Sequence, residues 1–389
     1  MKSINDLLLS VLNIHNQYSS TRNAKASKNK FNVFSILKVE YKEKKHSAFL
    51  AELLDPKGAH EMGDSFLKLF YQKLGINNVK NLSKAIVHRE FITAYGNIDI
   101  YIQAVKPEDS IIIENKIYAD DQNGQLARYH TFDSSAHLAY LTLDGHFASE
   151  KSLFYEHNKG KCLLTENDYK LISYVDFIID WLEQCHSLMS CNSYVKETLG
   201  QYIELLKEIT KYTLTQGEKM QLAKDVVKNK ESVQSFLLLI QNSSEIYKEL
   251  GMRVWDEIQK VANKLGVSAH IFPINSLLYK KYTHVLFDFG CAYYPVIGFE
   301  KENFSDIWFG ITGKDYTKQD VSPVKIETIR KIFEDTFDKP LPAADPIVHL
   351  WWDKHRNLFE EKFSSIYDSS FANDLEVLLL KLKEVIDAA

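Results

Sequence analysis

Short runs, alternating over residues 84–92 and 97–104 and continuously apolar at the start of 110–117, contrast with the segments upstream, where the apolar positions recur at helical spacing. The first pattern is that of strands, the second that of helices burying one side. Helices are therefore predicted over 3–18, 31–55 and 64–74, the last following a loop from Gly58 to Gly63. After the three strands come a helix containing Gln125 and Tyr129 and a further strand in HLAYLTLDG. A polar loop runs from His146 to Asp168, YKLISY makes one more short strand, and a helical region opening with VDFIIDWLEQCHSL reaches about Lys264. Trp181, Leu182 and Cys185, then Leu199, Tyr202, Ile203, Leu206 and Ile209, form apolar stripes in it that serve as packing surfaces.

Beyond Val267 the texture changes. SAHIFPI, YTHVLFDFG, YYPVIGFE and DIWFGIT read as strands up to Thr312, followed by helices from about Val324 to Phe337 and from Leu358 to the end. The pattern predicts two domains, 1–264 and 265–389, the second of α+β class and free of recognisable motifs. Its dense aromatics, among them Phe287, Phe289, Tyr293, Tyr294, Phe299, Trp308, Phe309, Trp351 and Trp352, are expected to be core, with base stacking as the alternative.

Candidate chemistry concentrates between residues 96 and 129. Asp99 sits in the alternating run GNIDIYI, and Glu114 and Lys116 close the isoleucine run of SIIIENKI, so the two acids stand near the ends of adjacent strands. Glu114 and Lys116 are two apart and share one strand face, while Asn115 points away. Two carboxylates meeting at one point can hold Mg²⁺ through oxygen, and a neighbouring lysine can position or deprotonate a water for attack on phosphorus. An ExK triplet alone is common at strand ends; the ordered combination is what carries weight.

With Asp99, Glu114 and Lys116 in this order, the chain resembles the PD-(D/E)XK nuclease superfamily. Ile98 occupies the place of the proline in that name, a position without chemistry. Gln125 and Tyr129 match the QxxxY pair of the RecB-like branch and, four apart, share a helix face. Upstream, ExxHS at Glu43–Ser47 and FLAELLDPKGAH are similar to the first helix and loop of a bacterial subgroup of nuclease-like proteins, as are WLE at Trp181–Glu183 and QY at Gln201–Tyr202. The resemblance spans about residues 31–210. It implies an α/β (α+β) fold with a restriction-endonuclease-like αβββαβ core, the element order already read from periodicity. It also implies a divalent cation, Mg²⁺ with Mn²⁺ as a substitute, held by Asp99, Glu114, the Asn115 carbonyl and Glu43. Lys116 then acts on the water, Gln125 bonds near the metal or phosphate, and Tyr129 orients Lys116 or a phosphate. His46 and Glu90 are further candidates, read otherwise as a cap or packed core residue and as an acid paired with Arg89 or another base.

Composition narrows the partners. The net charge of −5 provides no global basic field, so nucleic acid must be bound by local patches, for which Lys25, Lys28, Lys30, Lys38, Lys42, Lys44 and Lys45 are candidates. Cys162, Cys185, Cys191 and Cys291 lack zinc-site spacing and read as free thiols of a reducing compartment. No run is long and apolar enough to span a membrane, and the amphipathic N-terminal segment is no signal peptide, so the expected location is cytoplasmic. The expected activity is a metal-dependent nuclease cutting DNA, with a role in bacterial defence implied by the resemblance alone. Two alternatives stand beside it: an effector whose second domain senses a phage product or regulatory partner, or forms a homo-oligomer, and gates cleavage; and a nucleic-acid-binding protein that no longer cuts.

Overall fold

The strand-like segments form β1 (Ile86–Thr93), β2 (Gly96–Gln103) and β3 (Ile111–Lys116), an antiparallel meander. β4 (His137–Thr142) follows parallel to β3, a geometry that needs a crossover, supplied by helix Gln125–Phe132. A short helix, Glu150–Leu153, and a separate hairpin of β5 (Phe154–His157) and β6 (Gly160–Leu163) come next, and β7 (Lys170–Ser173) completes the sheet parallel to β4. The order is β1-β2-β3-β4-β7, a mixed five-stranded sheet. A computed structural model describes residues 4, 7–9, 11–13, 31–40, 42–117, 119–157, 160–189, 194–210, 213–273, 276–313, 323–337, 348–357, 366–367 and 369–388.

Both faces of this sheet are covered. Ile100, Ile102, Ile111, Ile113, Ala139, Leu141 and Ile172 pack with helices Glu43–Leu54, Ser65–Lys73, Ile179–Leu188 and Tyr194–Ile209. Ile112, Leu138 and Tyr140 instead meet Leu126 and Ala127 of the crossover helix. Every residue of β3 is buried, which is why this strand reads as an unbroken apolar run and not as an alternation. Trp181 pins two of the covering helices together by donating its indole N–H to Phe66 O at 3.0 Å.

The chain divides into two compact units, Met1–Ser235 and Phe236–Ala389. The partition therefore falls earlier than the expected residue 264. Helix Ser243–Leu265, read as the end of the first domain, places Val254, Ile258, Val261 and Ala262 in the core of the second, with Phe287 and Phe299. That core lies against an antiparallel sheet of β8 (Ser268–Phe272), β9 (Thr283–Asp288), β10 (Tyr293–Lys301), β11 (Ser305–Gly313) and β12 (Val348–Asn357), in the order β12-β11-β10-β9-β8. Helices Pro323–Phe337 and Ser370–Ala388 contribute Phe333, Leu375, Leu379 and Leu382 to it.

Other expectations are refined. The helix expected over 31–55 is two, Val33–Ile36 and Glu43–Leu54, separated by a turn in which Lys38 adopts φ 52. The polar loop from His146 to Asp168 holds the short helix and the hairpin, and β12 was not foreseen at all. Of the helix expected over 3–18, residues 4, 7–9 and 11–13 are helical and the remainder lies outside the described residues, as do 358–365 at the start of the last expected helix. Among the described residues no helix is long and apolar enough to cross a membrane.

Candidate active site

The three isoleucines of β3 carry the strand's last residues into the interior with them. Glu114, Asn115 and Lys116 are at most 5 % exposed. Strand alternation then sends Glu114 and Lys116 towards the crossover helix and Asn115 towards helix Glu43–Leu54. Lys116 Nζ lies 2.6 Å from Glu114 Oε1, and Gln125 Nε2 donates to the same oxygen at 2.7 Å. Glu114 Oε2 is buried and has no hydrogen-bond partner. A buried acceptor left in this state costs about 1–3 kcal/mol, a cost that a bound ligand would relieve.

The other acids are aimed at this point by backbone amides of the same strand end. Asp99 Oδ2 accepts from Asn115 N at 2.8 Å, and Glu43 Oε2 accepts from Ile117 N at 2.9 Å. Glu43 is the first residue of its helix, where the amides of the opening turn favour a carboxylate. The Asn115 side chain locks that helix in place, donating to Ser47 Oγ at 2.9 Å and accepting from Tyr174 O–H at 3.0 Å. Tyr174 was not singled out in the sequence, and Ser47 only as the last letter of ExxHS. Nothing in a tyrosine or serine marks it as a brace until the fold brings it to the strand end.

Electrostatics follows from this crowding. Burial, relieved by the Asn115 N–H and Lys116 but reinforced by Glu43 and Glu90, pushes the Asp99 carboxyl up to about 6. Burial and the neighbouring Asp99 hold Glu114 well above the carboxylate range. Burial pulls Lys116 down, but Glu114, Glu43 and Asp99 outweigh it and keep the ammonium above its usual range. Lys116 is therefore a persistent cation facing a group of acids that repel one another.

The remaining candidates sort clearly. Besides Glu114, Gln125 Nε2 contacts Tyr129 O–H at 3.2 Å, and that hydroxyl donates to Asn97 O at 2.6 Å. Tyr129 thus clamps the start of β2, where the resemblance implied a residue that orients Lys116 or a phosphate. His46 is 1 % exposed, with Nδ1 at 2.8 Å from Tyr202 O–H and Nε2 at 3.1 Å from Val39 O; burial lowers it to about 4. It is a neutral core residue linking two helices. Glu90 stands opposite Asp99 in an unbroken register, between the pairs Arg89–Ile100 and Phe91–Ile98, and it adopts φ 50. Its base is not Arg89 but Lys44, at 2.9 Å, joined by Asn97 Nδ2 at 2.7 Å. Of the lysine cluster, Lys25, Lys28 and Lys30 lie outside the described residues.

Two acids and a lysine meeting at the end of β3, with Asp99 inside β2 and not at its end as expected, on a mixed sheet crossed by a QxxxY helix, make the arrangement of the restriction-endonuclease-like class of phosphodiester-cleaving folds. Residues 31–204, somewhat less than half of the chain, match the family model of the PD-(D/E)XK nuclease superfamily. No curated protein and no solved structure matches the chain. Nucleases of this superfamily generally use divalent metal ions. The donor set fits one: hard oxygen ligands, mutual repulsion among the acids, and an orphaned carboxylate oxygen. As they stand, no group of three or more His, Cys, Asp or Glu side chains among the described residues is placed to hold a metal ion, and Asp99, Glu43 and Glu114 each have one oxygen engaged by the protein.

Proposed function

We propose that the protein is a Mg²⁺-dependent nuclease hydrolysing phosphodiester bonds in DNA, with Asp99, Glu114 and Glu43 as the residues that hold the ion. The single observation that carries this reading is the buried, partnerless Oε2 of Glu114 beside Asp99 and Lys116. When bound, the ion polarises a phosphoryl oxygen and makes a water more acidic. Asn115 aligns Asp99 through its amide N–H, and its carbonyl is the further oxygen donor of this reading.

Lys116, held cationic, orients the attacking water and steadies the charge that builds on the phosphoryl oxygens. Gln125 and Tyr129 are positioning residues: one fixes Glu114, the other the strand that bears Asp99. The second unit contributes none of these groups, which supports its assignment to substrate selection or control. The resemblance to bacterial nuclease-like proteins supports a role in defence against foreign DNA. Free thiols at Cys162, Cys185 and Cys291 support action in the cytoplasm.

The test is cleavage of linear and circular DNA, single- and double-stranded, and of RNA, with Mg²⁺, with Mn²⁺ and with EDTA. Cleavage of DNA that Mg²⁺ or Mn²⁺ supports and EDTA stops is the expected result. Cleavage that persists in EDTA, or no cleavage of any polymer, overturns the reading; cleavage of RNA alone overturns the substrate.

A further inference from the structure

The acids of this site pose a problem for a polyanionic substrate. Glu43, Asp99, Glu114 and Glu90 surround two lysines, and both lysines are committed: Lys116 to Glu114 and Lys44 to Glu90. Neither is free to receive a backbone phosphate without giving up a carboxylate. Arg128 is different. It lies on the same helix face as Gln125, one turn on, next to Tyr129, and is half-buried. Among the described residues no carboxylate lies within ion-pairing distance of it. Its guanidinium has only two long hydrogen bonds, from Nε to Gly124 O and from Nη2 to Gln122 Oε1, each 3.4 Å. Most of its five N–H groups remain available.

The backbone beneath it is shaped to seat it. Gly96 has φ +135, a conformation that favours glycine, and a Cβ there would stand 3.2 Å from Arg128 Nη1 and 3.2 Å from the Tyr129 ring. A side chain at position 96 would be strained and would also push the guanidinium away. Gly96 opens β2 three residues before Asp99, roughly 10 Å along the strand. That separation is too long for the phosphate under attack and suits a neighbouring one.

We infer that Arg128 clamps a backbone phosphate flanking the scissile one, through the paired N–H groups of its guanidinium laid over Gly96. The inference rests on the nuclease reading above and adds to it a residue that sets where the strand lies. Arginine suits the task because its planar fork matches two phosphate oxygens at once. A contact to a flanking phosphate is made equally in the ground and transition states, so it should act on binding and not on the chemical step.

The experiment measures binding of labelled DNA and RNA oligonucleotides in Ca²⁺ across a salt series, and cleavage kinetics in Mg²⁺. It compares wild type, Arg128→Gln, Arg128→Lys and the charge-matched control Lys106→Gln, from the turn at the opposite end of β2. Arg128→Gln should weaken binding roughly tenfold, raise KM with kcat nearly unchanged, and reduce the salt slope by about one ion. Arg128→Lys should restore the slope but only part of the affinity, since the charge remains and the fork does not. Wild type that binds oligonucleotides, with Arg128→Gln matching Lys106→Gln in affinity and slope, overturns the Arg128 assignment alone. A fall in kcat at unchanged KM and slope overturns it too, in favour of a structural role. Wild type that binds no oligonucleotide overturns both this inference and the nuclease reading.

Discussion

The two sheets of this protein have five strands each and solve burial in opposite ways. The first is mixed and buries a carboxylate, a lysine and two amides at one strand end, with an acceptor left unpaired. The second is antiparallel and fills its core with Phe287, Phe299, Phe304 and Phe333; the one charged side chain buried there among the described residues, Asp306, has Lys301 Nζ at 3.1 Å. Buried ion pairs seldom improve stability over apolar packing. A sheet that keeps one, and leaves an oxygen unpartnered beside it, is carrying a destabilising feature for a purpose other than folding. The contrast supports, without reference to any relative, the proposal that the chemistry lies in the first unit.

The sharpest way to break this comparison is to remove the acids. Glu114→Ala and Asp99→Ala should lower cleavage by a hundredfold or more, on the order of what loss of a principal electrostatic group costs, while the metal-free variants melt no lower than wild type because a repulsion has gone. Full activity in either would sink the site assignment. Lys116→Ala should lose about a hundredfold in rate, yet calorimetry should still detect Mg²⁺ binding, since the acids remain and a neighbouring cation has been removed. Loss of binding would instead make the lysine a structural member of the cluster.

A gentler probe is pH. Asp99 is raised to about 6 in the folded protein, so the stability associated with its protonated form is complete below about pH 4 and is lost as pH rises through about 6. In EDTA, Asp99→Asn should therefore gain on wild type across that window, by up to about 3 kcal/mol, and Mg²⁺ should narrow the difference by stabilising the ionised wild type. Equal melting behaviour of the two proteins at every pH would contradict the crowded-acid picture. The smallest effect tests the second sheet. Gly298 leaves room for the Trp308 indole, whose Cε2 lies 2.3 Å from where a Cβ would be. Gly298→Ala should cost about 1–3 kcal/mol through displaced packing while Mg²⁺ affinity stays at the wild-type value. A change in affinity would show that the two sheets are not independent in function.

Much of the first unit is legible from its residues. β1, β2, β3 and the crossover helix are marked by clean periodicities, and Asp99, Glu114 and Lys116 stand out because acids and a lysine at the ends of isoleucine runs conflict with burial. Gln125 is legible through the QxxxY spacing that the resemblance supplies. Less is legible where the signal depends on distant partners. Helix Ser243–Leu265 has the same apolar stripe whichever unit it packs against, so its place in the second core could not be read locally. β12 pairs along β11 from more than thirty residues away, and the residues between carry no pattern that announces it.

By itself, then, the sequence determined the αβββαβ order, the face on which Glu114 and Lys116 lie, and the residue types able to bind a cation, because local backbone periodicity dictates all three. Tertiary structure alone decided which oxygen of Glu114 is left over, that Tyr129 grips Asn97 and His46 grips Tyr202, that Glu90 turns to Lys44, and that Arg128 lies over Gly96. Those outcomes depend on which donor reaches which acceptor first across segments far apart in the chain, and on which groups burial leaves without water to take a partner's place.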